Sequence, residues 1–227
     1  MNIEILYGPS NTAAKVNLDA GDTMTTESGS MIAMSQGIDL QTTTHKKGKG
    51  SLLKSIKRLF AGESFFLNHY TAHSQGEVYL SSILPGDMAQ VELSGENIIV
   101  QSSSFLACDE GVSMDVGWQG FKSIFSGESL FWLNLKGEGV VLLNAFGAIY
   151  PVEVDGEYTV DTGHIVAFDE TLKFSISKAG SSWLHSFMGG EGLVCRFKGK
   201  GRIWCQSHDA KGFGKKLRPY LKVKRTN

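Results

Sequence analysis

The chain has 227 residues, 41% of them apolar and 20% charged, with a formal charge of −1. This excludes a disordered polyelectrolyte and predicts a soluble globular protein long enough to bury a sizeable core. No apolar run approaches the roughly 18 residues that span a bilayer. The three cysteines, Cys108, Cys195 and Cys205, contain no CxxC and argue against a disulfide framework or a structural zinc site.

The first residues, Met1-Asn2-Ile3-Glu4, lack the basic and apolar regions of a secretory signal, so the expected compartment is the cytoplasm. The near-zero total charge hides two basic segments. Residues 45–60 carry Lys46, Lys47, Lys49, Lys54, Lys57 and Arg58 without an acid, and residues 211–227 carry seven bases without an acid. The remainder holds nine bases against 23 acids, a net of −14.

In chain order, residues 3–7 predict a strand closed by Gly8-Pro9. Val16 to Asp19, a turn at Ala20-Gly21-Asp22 and the strand ESGSMIAM (27–34) follow. This pattern recurs at Val91–Gly111 and Val152–Glu170, each with alternating apolar positions, a glycine turn, a second strand, a polar turn and a third strand. The candidate core residues are Leu18, Met24, Met31 and Ala33 in the first copy. Leu93, Ile98, Phe105 and Ala107 correspond in the second, and Val154, Val160, Ile165 and Ala167 in the third.

A second motif also occurs three times. SIKRLFAGESFFL (55–67), FKSIFSGESLFWL (121–133) and LHSFMGGEGLV (184–194) each carry a Gly-Glu pair before an apolar run: Gly62-Glu63, Gly127-Glu128 and Gly190-Glu191. The spacings of 65 and 63 residues suit a small β unit that cannot stand alone. After each motif the sequence predicts a hairpin: Phe65 to Ala72 with Glu77 to Ser81, Leu130 to Lys136 with Val140 to Asn144, and Leu193 to Lys198 with Arg202 to Gln206.

The expected fold is therefore all-β: one domain, 1–227, of three small sandwich- or β-helix-like repeats (about 16–82, 91–145 and 152–207) around a pseudo-threefold axis. The expected exception is a short basic amphipathic helix at 51–60. Leu52, Leu53, Ile56, Leu59 and Phe60 share one face, and Lys54, Lys57 and Arg58 lie on the other side. The basic tail, 211–227, shows little periodicity and reads as a short strand (Tyr220 to Val223) or as unstructured.

ESGSMIAM (27–34), SILPGDM (82–88), QSSSFLACDEGV (101–112), FSGESLFWL (125–133), VDTGHIVAFDE (160–170) and GGEGLVCRFKGKGRIWCQS (189–207) together resemble the altered-inheritance-of-mitochondria type family over about residues 1–208. The resemblance implies three fused units similar to the tryptophan RNA-binding attenuation protein fold, and a homotrimer that closes a nine-unit ring. The basic insert at 46–58 and the basic tail depart from the family pattern.

Other motifs have plainer readings. Asp161-Thr162-Gly163 looks like the aspartic-protease triplet, but that chemistry needs two such carboxylates and the chain has one, so a glycine turn is expected. His69 and His73 share a strand face without a convincing third metal ligand. Cys195 and Cys205 flank Lys200 symmetrically and would sit opposite each other across a hairpin; packed free thiols are expected over a disulfide. Glu63, Glu128 and Glu191 read as structural acceptors of backbone N–H groups at bends. No catalytic set, metal or cofactor is expected.

The functional expectation is a non-enzymatic scaffold, cytoplasmic or peripheral at a membrane. Lys46, Lys47, Lys49, Lys54, Lys57 and Arg58, with Leu52, Leu53 and Ile56, are the candidate contacts to an anionic lipid surface or an acidic protein. The alternatives are an RNA-binding ring and a small-ligand binder at repeat junctions.

Overall fold

The structure, a computed structural model, describes residues 1–43, 66–116, 132–178 and 193–221. It is predominantly β. Strands β1 (Asn2–Leu6), β2 (Ala13–Leu18), β7 (Gly76–Leu80) and β4 (Met31–Met34) form one sheet in the order β1-β2-β7-β4. A second sheet contains β3 (Thr23–Glu27), β5 (Ile38–Thr43), β6 (Leu67–Ala72), β8 (Met88–Gln101), β9 (Phe105–Asp109), β10 (Val112–Val116), β11 (Trp132–Asn144), β12 (Ile149–Asp161), β13 (Ile165–Asp169), β14 (Lys173–Lys178) and β15 (Leu193–Gln206). Its order is β12-β15-β13-β8-β11-β9-β3-β6-β5, with β10 beside β11 and β14 beside β15.

None of the three expected hairpins forms: β6 and β7 do not pair with each other and lie in different sheets, and the other two are single strands. Residues 132–144 and 193–206 are each a single strand, and so are 88–101 and 149–161. The glycines read as turns are bends inside long strands. Gly95, Gly137, Gly156 and Gly199 all have φ between +104° and +129°, a region open to glycine at little cost. Gly156 lies directly opposite Gly199 in the β12–β15 ladder, while β11 and β8 pass the bend with a register shift between Lys136 and Glu138. Close approach adds a second reason for glycine. A Cβ on Gly137 would meet the carbonyl oxygen of Gly111, and one on Gly139 would lie 2.7 Å from the Asp109 Cβ.

In the first third of the chain, residues 19–22 separate β2 from β3 and residues 73–75 separate β6 from β7; β2 pairs with β7 and β3 with β6 in different sheets.

Burial follows these bends. The outer half of β8 alternates, with Val91 and Leu93 buried between exposed Gln90, Glu92 and Ser94; its inner half, Ile98 to Gln101, is buried without a break. The inner ends of β11 (Val141 to Asn144) and β15 (Ile203 to Gln206) are likewise wholly buried. Both faces are covered there, since Ile98 and Val100 enter one buried cluster and Ile99 another, and Val141 and Leu143 one cluster and Leu142 another. Ten of the twelve candidate core residues are buried, but Met31 and Ala33 are exposed. The physical reason is position: β9 lies between β11 and β3, and β13 lies between β15 and β8, whereas β4 has β7 alone as a described neighbour.

The segments that join the strands meet one another. Asp87 N–H donates to Gly147 O, Gly147 N–H to Pro85 O, and His208 N–H to Phe146 O. Beyond them, 210–217 is a helix, α1 (Ala210–Leu217), followed by a 3₁₀ turn at Arg218–Tyr220, where a strand or no structure was expected.

Candidate functional site

The contacts expected from the sequence, Lys46 to Arg58 with Leu52, Leu53 and Ile56, lie outside the described residues. So do all three Gly-Glu pairs: Gly62-Glu63, Gly127-Glu128 and Gly190-Glu191. The flanking strands are described. The three segments run from β5 to β6, β10 to β11 and β14 to β15, and each of these strand pairs is an antiparallel neighbour pair.

A different acid recurs in the described residues. The Asp109 carboxylate accepts the Val140 N–H at 2.7 Å, and Asp169 accepts the Arg202 N–H at the same distance. Both bonds lie just past the glycine bends of β11 and β15, where a backbone donor would otherwise face a turn. The sequence signal was present in the two Asp-Glu turns at 109–110 and 169–170.

The buried inner strand ends surround a cavity of about 250 Å³ lined by Glu27, Ile83, Leu84, Ser104, Asn144 and Phe146, among others. Burial pushes the Glu27 carboxyl up to about 7. Gln206 ties two joining segments together here: its amide oxygen accepts the Phe146 N–H at 2.9 Å and its amide nitrogen donates to Gly163 O at 2.9 Å.

The remaining candidates have local partners. Asp161 Oδ1 accepts the Gly163 N–H at 2.8 Å and Thr162 Oγ1 donates to Leu193 O, which makes the Asp-Thr-Gly triplet a capped turn. His69 Nδ1 lies 2.9 Å from Thr25 Oγ1, and His73 Nε2 lies 2.8 Å from Asp39 Oδ2, so each histidine has a partner of its own. Cys195 and Cys205 are free, buried and ten residues apart on one strand, not opposite each other. Burial raises their thiols to about 12 and about 11.

Two exposed apolar surfaces stand out. On β4, Met31, Ile32 and Met34 are all exposed, Ile32 by 58%. On α1 no side chain is buried. Asp209 caps it through the N–H groups of Lys211 (2.9 Å) and Gly212 (2.7 Å), and Phe213 packs edge-on against Phe146 at 5.3 Å. The signal missed in the sequence was the Asp209 cap, the Phe213/Leu217 spacing and the Arg218-Pro219 stop. No described helix is long and apolar enough to cross a membrane.

The family model described as mitochondrial biogenesis AIM24 matches residues 3–208. A protein of Streptococcus pyogenes serotype M6, itself described as uncharacterized, is 30% identical over 213 residues, covering 91% of this chain and 86% of its own. The X-ray crystal structure of a protein from Streptococcus pyogenes is similar with a TM-score of 0.79 at 28% identity, covering 97% of this chain and 99% of that one.

Proposed function

The chain belongs to the mitochondrial biogenesis AIM24 family, and on that premise we propose that it is a non-enzymatic, self-assembling scaffold. Three related units surround a pseudo-threefold axis, three copies form a homotrimer, and the basic segment at 46–58 docks the assembly on an anionic membrane surface.

The observation that carries the assembly is an edge strand, β4, that has β7 as its one neighbour among the described residues. Thr26 of β3 faces Ala107 of β9, and Val100 of β8 faces Ala167 of β13. By the same correspondence β4 should face β12, with Ala33 opposite Val160. Within the described residues β4 and β12 instead sit at the outer ends of different sheets. A second copy supplies the missing neighbour and covers Met31, Ile32 and Met34, removing an apolar edge that would otherwise invite uncontrolled pairing. Multivalency then lets weak basic contacts add up at a surface.

Native mass spectrometry tests the assembly. Wild type is expected to be a trimer, and Ile32→Asp/Met34→Asp to be a folded monomer, since both side chains are exposed. A double variant that keeps the wild-type mass overturns this reading.

The cavity beside Glu27 favours a second reading, a small-ligand binder at the unit junctions. The same spectra of protein purified from cells would carry the ligand's extra mass. Bare protein at every charge state rejects it.

A further inference from the structure

We propose that the C-terminal segment 210–221 is an interfacial docking element for anionic lipid. It extends the docking part of the reading above and rests on none of its assembly part.

The helix is held at its N-terminal half by Asp209 and by Phe146. Eight residues that include Gly212 and Gly214 are too few and too glycine-rich to be helical alone. The Asp209 cap and the Phe213–Phe146 edge contact hold them in place. Phe213 and Leu217 are four apart and share the face that meets Phe146, yet remain 46% and 39% exposed; Lys211 and Lys215, also four apart, lie on the other side. The chain then continues through Tyr220 and Leu221, exposed by 85% and 64%. Exposed apolar groups collected in so short a span mark an interaction surface.

Charge decides what the surface meets. From Ala210 to Asn227 the sequence carries seven bases and no acid, on a body whose other charges are mainly acidic. The partner is therefore negative. Tyr220 and Phe213 could stack on bases, but the exposed aliphatic Leu217 and Leu221 have no use on a nucleic acid, and it is these that favour lipid. Two anchors on an eight-residue helix are few for a protein groove, which reads several successive turns. Apolar side chains beside Lys and Arg match the acyl boundary and headgroups of an anionic bilayer.

The experiment is co-sedimentation of the full chain with phosphatidylcholine–phosphatidylglycerol vesicles and with pure phosphatidylcholine vesicles. Four proteins are compared: wild type, Lys215→Glu/Lys216→Glu/Arg218→Glu, Leu217→Ser/Leu221→Ser, and Lys54→Glu/Lys57→Glu/Arg58→Glu. Wild type is expected to pellet with the anionic vesicles only. Both tail variants are expected to partition at least about tenfold less, with unchanged melting because the altered side chains are exposed.

Tail variants that bind like wild type overturn the proposal. If the 54–58 variant alone fails, the earlier docking reading stands and this one falls. A loss with the charge variant but not with the Leu→Ser variant also overturns it, because it reports nonspecific attraction to a polyanion. Failure of wild type to bind any vesicle removes both docking readings and leaves the assembly reading intact.

Discussion

Asp169 holds Arg202 at two levels. Its Oδ2 accepts the Arg202 backbone N–H at 2.7 Å, and its two oxygens lie 3.2 and 3.3 Å from Nε and Nη2 of the guanidinium. The guanidinium in turn sits 4.8 Å above the Trp204 ring. The backbone bond fixes the strand just past its Gly199 bend, and the side-chain bonds lie nearer to water.

The two levels differ in strength. A charge-assisted bond to a sheltered N–H contributes about 1.5–3 kcal/mol, and a partly exposed ion pair about 0–1 kcal/mol. Asp169→Ala should lower the melting temperature by roughly 4–8 °C, and Arg202→Ala by less than about 4 °C. Thermal melting of both checks this. Equal losses would mean that the guanidinium, and not the backbone donor, is what Asp169 serves.

Glu27 sets a pH dependence. Its folded-state pKa, about 7, lies above the ordinary value of 4.5. Between those values the native state keeps a proton that the unfolded chain has released. Stability from this residue therefore falls as pH rises through that window and is level above it. The upper value of the effect is about 3 kcal/mol, less any relief from water in the cavity. Glu27→Gln should raise the melting temperature at pH 8 by a few degrees and leave it unchanged near pH 4. A variant that melts with the wild-type pH profile contradicts the burial of this carboxyl.

The thiols should be inert. Cys195 and Cys205, with thiols raised by burial to about 12 and about 11, hold almost no thiolate at neutral pH. Ellman's reagent at pH 8 should label neither until the protein is denatured. Mild oxidation should not crosslink them, because they lie ten residues apart on one strand and are both buried. A rapid Cys195–Cys205 disulfide in the native protein would restore the hairpin and rule out the long β15.

Which features were legible follows from the range of the forces that make them. Period-two alternation marked the strands around Leu93, Ile98, Phe105 and Ile165, because a half-buried strand needs it locally. It misplaced Met31 and Ala33, since their own alternation reads like that of buried strands, and their exposure is set by β4 having β7 as its one described neighbour. Glycine marked every bend. It could not say whether the chain turned back or ran on, because both need positive φ and only the partner strand's register separates them.

The candidate sites divide the same way. Basic clusters were visible as composition. The α1 helix had only local marks, the Asp209 cap and the Arg218-Pro219 stop; its docking depends on Phe146, which is 67 residues before Phe213 in the chain.

The order of residues alone determined a β-rich fold, its family and the placement of its bends, all consequences of side-chain type and short-range backbone geometry. Tertiary structure decided which strand neighbours which, that Cys195 and Cys205 share one strand, and which apolar edges are left uncovered. Those are outcomes of pairing between residues far apart in the chain, where a one-residue change of register reverses every face.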